Sequence, residues 1–312
     1  MNPQPRPYAG TEDREKMRQV LVLGRQASNG SYYVHVGDLN WWLYYVEPQA
    51  NPWQHIYLWD GPHPGDALRG WALLSPQWRS FDVFVQPALR GSPLAWQMYD
   101  WAEEKITALV RRQGGRDIRT MWVAERDDAL IYHLERRGFG RDKGYLIQHL
   151  RWLEGSIANQ ELPEGFYVRR MAGEREIPSR AAASHAAFVS DMAEDRYQAR
   201  YLGFLHSPVY RPELDIVAIA PDGRVAAFCN GWLDFTNRVG LFEPVGTHPD
   251  FQRQGLAKAI LAEGMRRMMA YGMRTAIVCA EQGNLPARRL YQSMGFQPDN
   301  RLWTYVRPVA GR

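Results

Sequence analysis

The 312-residue sequence predicts an α/β protein made of two tandem copies of one unit, each a mixed sheet flanked by helices. Three observations carry this expectation. The segment "AEQGNLPARRLYQSMGF" (280–296) has a faded counterpart in "AERDDALIYHLERRGF" (124–139), and the paired Gly-Phe endings lie 157 residues apart. "THPDFQRQGLAKAI" (247–260) likewise resembles "VQPALRGSPLAWQM" (85–98), with prolines 162 residues apart. Strands then alternate with helices in a fixed order, which is the pattern of an α/β sheet. The expected boundaries are 1–152 for the first domain, 153–165 for a linker and 166–312 for the second domain. The linker is read from "LEGSIANQELPEG", a polar stretch carrying Gly, Ser and Pro.

In chain order, "NWWLYYVE" (40–47) and "NPWQHIYLW" (51–59) give the first half an aromatic core or interface, and ten of the twelve tryptophans lie at or before Trp152. In the second half, "EIPSRAAASHAAFVS" (176–190) and "DRYQARYLGFL" (195–205) repeat apolar residues every three or four positions and predict helices. "LDIVAIA" and "RVAAFCNGWLDF" predict strands joined by the turn residues Pro221, Asp222 and Gly223. "RVGLFEPVGT" (238–247) is the next strand, and "GLAKAILAEGMRRMMAYG" (255–272) an amphipathic helix closed by Gly272. A buried strand "TAIVCA", a helix "NLPARRLYQSMG" and a last strand "RLWTYVRPV" complete the unit.

Composition narrows the function classes. A hydrophobic content of 45% suffices for a buried core, and no run is long and apolar enough for a membrane helix. The start lacks the apolar centre of a signal peptide, so a cytoplasmic location and no membrane partner are expected. Cys229 and Cys279 sit in apolar strands and read as buried thiols. The charge is only +4, the cations are nearly all arginine, and no dense basic stripe accompanies them, so no nucleic-acid partner is expected. The eight histidines show no metal-ligand spacing, so no metal is expected.

The stretch "EPVGTHPDFQRQGLAKAIL" (243–261) runs from a strand through a small-residue turn into a helix. Helix N-termini present unpaired N–H groups and partial positive charge, which suits an anion such as phosphate. Gly255 lets a ligand approach the backbone closely, while Arg253 and Lys258 add charge. Val245 and the Gln252-x-x-Gly255-x-Ala257 pattern resemble the acyl-CoA-binding motif of the GCN5-related N-acetyltransferases, the GNAT superfamily. Asn284, Ala287, Leu290–Tyr291 and Gly295–Phe296 resemble that family's next motif, at the expected separation. The resemblance covers residues 166–309 well and the first half weakly, and the doubled arrangement is similar to tandem acetyltransferases.

The resemblance implies two tandem GNAT-like domains, each with a mixed, mostly antiparallel central sheet. It implies acetyl-CoA as co-substrate. Val245, Gly246 and Thr247 would lie along the pantetheine arm. Gln252, Arg253, Gln254, Gly255, Leu256, Ala257 and Lys258 would hold the pyrophosphate, with Asn284 and Ala287 nearby. It places the thiolate's acid at Tyr291, a phenol that stays protonated at neutral pH. Glu243 is the candidate base, acting directly or through water. Strict strand alternation puts Glu243 on the face of Val245, unless a bulge near Pro244 intervenes. The oxyanion donor is the backbone N–H of Val245 or a neighbour.

His248 reads as a surface turn residue, Asp234 and Asp191 as exposed acids or binders of a cationic acceptor, and Cys279 as core. In the first half, Pro93 stands opposite Gly255, Leu134 opposite Tyr291 and Asp127 opposite Asn284, so that half is expected to have kept the fold and lost the reaction. The expected activity is acetyl transfer to a primary amine by direct attack in a ternary complex. The alternative is a non-catalytic acyl-CoA sensor. The acceptor, a small-molecule or peptide amine, and the oligomeric state stay open.

Overall fold

The computed structural model describes residues 4–46, 51–63 and 65–309; Glu47, the end of the first aromatic stretch, lies outside them. In the first half the elements are β1 (Arg6–Pro7), α1 (Thr11–Ala27), α2 (Val36–Tyr44), β2 (Ile56–Trp59), β3 (Gly70–Ser75), β4 (Ser80–Val85), α3 (Pro93–Arg112), β5 (Asp117–Ala124), α4 (Asp128–Arg136) and β6 (Gly140–Trp152). The second half contributes β7 (Tyr167–Arg170), α5 (Ile177–Ala187), α6 (Glu194–Leu205), β8 (Asp215–Ile219), β9 (Val225–Asp234), β10 (Val239–Thr247), α7 (Leu256–Ala270), β11 (Thr275–Glu281), α8 (Leu285–Ser293) and β12 (Gln297–Pro308). The expected elements of the second half are all present. The short β7 was not anticipated, and β12 begins four residues before the expected Arg301.

All the strands form one sheet in the order β1-β2-β3-β4-β5-β12-β6-β11-β10-β9-β8-β7. Among the described residues only β4·β5 and β10·β11 are parallel, and each of these pairs is bridged by a crossover helix, α3 or α7. The sheet is therefore mixed and mostly antiparallel, with the same β-α-β unit in both halves.

The order also shows an exchange. The last strand of the second half, β12, lies between β5 and β6, and the last strand of the first half, β6, pairs with β11. Tyr305 on β12 is wholly buried in the first half's core beside Phe81, Ile118, Ile131 and Leu134. The two halves thus share the centre of the sheet, each supplying a strand that pairs with the other.

Each half is covered on both faces. In the first, α3 and α4 pack on one side, and α1 and α2 on the other. In the second, α7 and α8 cover one face, and α5 and α6 the other. The helix α2 reaches across. Trp41 and Tyr45 stack on each other at 3.9 Å and meet Phe204 of α6 edge-on at 5.4 and 6.1 Å. Trp41 and Tyr45 of the aromatic stretch therefore form part of an interface between the halves.

Candidate active site

In β10 the register against β9 slips between Phe242 and Val245, across a cis Glu243–Pro244 bond. Trp232 Nε1 donates to Glu243 O at 2.8 Å and fixes this bulge. Phe242 and Val245 both pack on the α7/α8 side, which leaves Glu243 on the α2 side with Leu241. The bulge breaks the alternation, so Glu243 and Val245 face opposite sides of the sheet.

The parallel pairing of β10 with β11 also stops at Phe242. From Val245 to Thr247 the strand pairs with β9 alone, and its other edge is open. Gly246 has a packing reason besides any ligand: a Cβ there would lie 2.3 Å from Phe228 Cζ.

Past this open edge, a 3-10 turn at Pro249–Phe251 leads to α7. Arg253 (φ 61°) and Gly255 (φ 83°) adopt left-handed conformations that turn the backbone amides outward, and Gly255 gives α7 no side-chain cap. The N–H groups of Arg253, Gln254, Gly255, Leu256, Ala257 and Lys258 have no hydrogen-bond partner among the described residues. Leu256 offers only its amide, since its side chain is core. Gln252 and Arg253 are exposed, and Lys258 is half-buried at the same end. Unpaired amides converging at a helix N-terminus suit an anion. His248 caps the turn by accepting from Asp250 N at 3.2 Å, a surface role.

Asn284 caps α8 by accepting from Ala287 N at 3.1 Å, which positions Tyr291 two turns later. Tyr291 is 4% exposed, and its hydroxyl makes no hydrogen bond among the described residues. Its ring meets His149 of β6 edge-on at 5.7 Å, so the exchanged strand forms part of its wall. Burial pushes the phenol's proton loss well above the ordinary tyrosine range.

Glu243 is half-buried, and its Oε2 is enclosed without a partner among the described residues. Burial and the facing carboxyl of Asp38, from α2 of the first half, hold its carboxyl far above the usual range. Cys279 lies close to both acids; it is half-buried and, with His35, Asp38 and Gln148, lines a small cavity between the halves. It is therefore a wall residue rather than the core residue expected. Asp234 is also reassigned. It is buried and accepts from Thr236 N, Asn237 N and Asn237 Nδ2, so it ties the β9–β10 turn and cannot receive an acceptor. Asp191 is exposed.

The matching place in the first half is closed. Asp127 caps α4 as Asn284 caps α8, by accepting from Leu130 N at 3.3 Å, and it is bound by Arg90 at 2.6 Å. The turns keep the expected alignment, since the 3-10 turns at Pro87–Leu89 and Pro249–Phe251 and the left-handed Gly91 and Arg253 share the same 162-residue offset; α3 however begins at Pro93 itself, with Ser92 as its N-cap, whereas α7 begins after Gly255. Ser92 Oγ takes the Ala95 N–H at 3.2 Å, which leaves only the Gly91 and Leu94 amides of this turn free among the described residues. Tyr33 and Tyr99 donate to Val85 O at 2.6 Å and Val83 O at 3.1 Å and occupy the strand edge that is open in β10. Leu134 is buried core. A cavity of about 310 Å³ remains over the Arg90–Asp127 pair.

The acetyltransferase (GNAT) family model matches residues 182–296. Relatives include proteins described as mycothiol acetyltransferase. The one from Kineococcus radiotolerans is 28% identical over 66% of this chain and 66% of its own length. That from Thermobispora bispora is 24% identical over 75% of this chain and 78% of its own. Among solved structures, a GCN5-related N-acetyltransferase from Sphaerobacter thermophilus superimposes with TM-score 0.67 and 18% identity, over 98% of this chain and 95% of its own. A tandem GNAT protein from the clavulanic acid biosynthesis pathway gives TM-score 0.69 and 13% identity, over 99% and 98%. No helix among the described residues is long and apolar enough to cross a membrane, and no cluster of at least three His, Cys, Asp or Glu among them could hold a metal ion. Residues 182–296 thus match the acetyltransferase (GNAT) family, and the whole chain shares its fold with tandem GNAT proteins, here with two halves that exchange their last strands.

Proposed function

We propose that this protein transfers the acetyl group of acetyl-CoA to a primary amine, with the chemistry confined to the second half. The observation that carries this reading is the pairing of the unpartnered amides of Arg253–Lys258 with an open β10 edge, set beside Tyr291 and Glu243. The amides, with Gln252, Arg253 and Lys258, suit the pyrophosphate, where each helix-end charge interaction is worth about 0.3–1 kcal/mol. The Val245–Thr247 edge suits the pantetheine arm, and Asn284 and Ala287 border the thiol end. Acetyl-CoA supplies the activated acyl group and a thiolate leaving group.

Glu243 takes the amine's proton so that the nitrogen can attack, and such base catalysis contributes roughly a hundred- to ten-thousand-fold. The backbone N–H of Val245 or a neighbour steadies charge on the carbonyl oxygen. Tyr291 keeps its proton at neutral pH because burial raises its pKa, so it can give that proton to the departing sulfur. Direct attack needs no acylated protein. At the corresponding place the first half keeps only two free amides, those of Gly91 and Leu94, and its strand edge is occupied by tyrosines, which supports a non-catalytic role there.

The relatives described as mycothiol acetyltransferase favour a small-molecule amine over a peptide, and the chain's own acceptor-side wall is acidic. The test is thiol release from acetyl-CoA across a panel of aminoglycosides, amino-acid derivatives, polyamines, thiol-sugar amines and peptide N-termini. At least one amine should raise release well above hydrolysis. Tight acetyl-CoA binding with no amine-dependent release across the panel would favour the sensing alternative.

A further inference from the structure

The carboxyl facing Glu243 comes from the first half, and the fold goes to some length to hold it there. The first turn of α2 is fastened to the second half at three points. His35, its N-cap, accepts from Gly37 N at Nδ1 (3.0 Å), so Nε2 carries the ring proton and donates to Val239 O of β10 at 3.2 Å. Gly37 lies flat on Trp232, where a Cβ would come within 2.5 Å of the indole. Trp232 in turn donates to the carbonyl of Glu243. Asp38 follows directly. One of its carboxyl oxygens accepts from His35 N at 2.7 Å, and the group lies within hydrogen-bonding reach of the Glu243 side chain. The surroundings are otherwise poor in charge. Arg25 of α1 bears on Asp38 and Cys279, His35 is neutral, and Cys279 stands opposite both acids.

We propose that the proton acceptor of this site is a two-carboxyl unit, Glu243 from the second half and Asp38 from the first, holding one proton between them. The proposal rests on the acetyl-transfer reading for its chemistry and on the α2–β10 contact for its existence. Two carboxyl groups this close do not both ionise, so the unit carries one negative charge. That charge attracts an ammonium group, and the unit takes one ammonium proton, becomes neutral and passes the proton to solvent. The freed nitrogen forms a C–N bond to the acetyl carbon as the C–S bond breaks. Tyr291 gives its proton to the sulfur and regains one from the nitrogen. The products are the amide, the free thiol and one proton released. Glu243 is the catalytic residue, and Asp38 is a positioning residue that sets when Glu243 ionises. The first half is therefore required for the chemistry although it performs no transfer itself.

Two measurements on the full chain test this. The first is a pH titration of the protonated-carboxyl infrared band in the ligand-free protein, comparing wild type with Asp38→Asn and Glu243→Gln. Asparagine keeps an oxygen to accept from His35 N, so Asp38→Asn should fold. The wild-type band should persist to near-neutral pH, and each variant should lose that part of it. The second is the pH profile of kcat/KM. Asp38→Asn should move the acidic limb down by about one pH unit or more, because the negative neighbour that holds the proton on Glu243 is gone. It should leave KM for acetyl-CoA unchanged. An unchanged band and limb in Asp38→Asn would reduce Asp38 to a helix cap and overturn the proposal. If Asp38→Asn did not fold, Glu243→Gln would decide by the infrared band alone. Because that band needs no turnover, a lack of any amine acceptor would count against the acetyl-transfer reading and leave the shared proton to be judged separately.

Discussion

Replacing Tyr291 by phenylalanine separates chemistry from packing more cleanly than any other change at the site. The ring is buried between His149 and Phe296, with centroids 5.7 and 6.1 Å away, and phenylalanine keeps those contacts. The hydroxyl has no hydrogen-bond partner among the described residues, so its loss leaves no buried group unsatisfied. Stability should therefore change by no more than about 0.5 kcal/mol. If Tyr291 protonates the departing sulfur, the rate should fall roughly a hundred- to ten-thousand-fold, or about 2.7–5.4 kcal/mol at 1.36 kcal/mol per tenfold. The interaction belongs to the transition state, so kcat and kcat/KM should fall together while acetyl-CoA affinity is kept. The assay is thiol release with the best amine of the panel, alongside a melting curve and a calorimetric titration of the variant. Wild-type turnover in a folded Tyr291→Phe protein would refute the acid assignment.

Two further outcomes follow from the fold. Tyr305→Ala removes a wholly buried ring, contributed by the last strand of the second half to the first half's core, and should cost about 3–5 kcal/mol. Chemical denaturation followed by a probe in each half should show both weakened together, and loss confined to the second half would contradict the exchange. Asp82 is buried, and burial pushes its carboxyl up to about 7, although Met121 N donates to it at 2.9 Å. The folded state therefore binds the Asp82 proton more tightly than the unfolded chain, so this group's burial costs most above pH 7 and the cost fades as pH falls through 7 toward 4. Asp82→Asn should gain at least about 1 kcal/mol over wild type at pH 8 and little at pH 4, read from denaturant midpoints; an equal difference at both pH values would show that Asp82 titrates normally.

What the sequence made legible was local. Gly255 was marked by its turn and by the motif it shares with the family, and Asn284 by that resemblance; the structure adds their local roles, a left-handed turn before α7 and the cap of α8. The chemistry that joins the halves was not marked in this way. Strands β6 and β12 both read as ordinary terminal strands, and nothing in either pattern says that each pairs outside its own repeat, because the choice is made by contacts more than a hundred residues apart. Asp38 stands just before an aromatic stretch whose packing value is plain, and its role depends on a β10 bulge that turns Glu243 to the α2 side. The closing of the first half was half-visible. Pro93 and Leu134 departed from the motif, but the tyrosines that occupy the β4 edge, Tyr33 and Tyr99, come from elements that no motif marks.

The central claim is one acetyl-CoA site per chain, built by the second half. Calorimetric titration of the full chain with acetyl-CoA, repeated on Gly255→Val and Gly91→Val, tests it most directly. Valine is strained at either left-handed glycine, at φ 83° and 73°, so the two variants carry comparable backbone cost. The account predicts a stoichiometry of about one, affinity lowered by at least about a hundredfold in Gly255→Val, and wild-type binding in Gly91→Val. Two sites per chain, or loss of binding through Gly91 rather than Gly255, would contradict it.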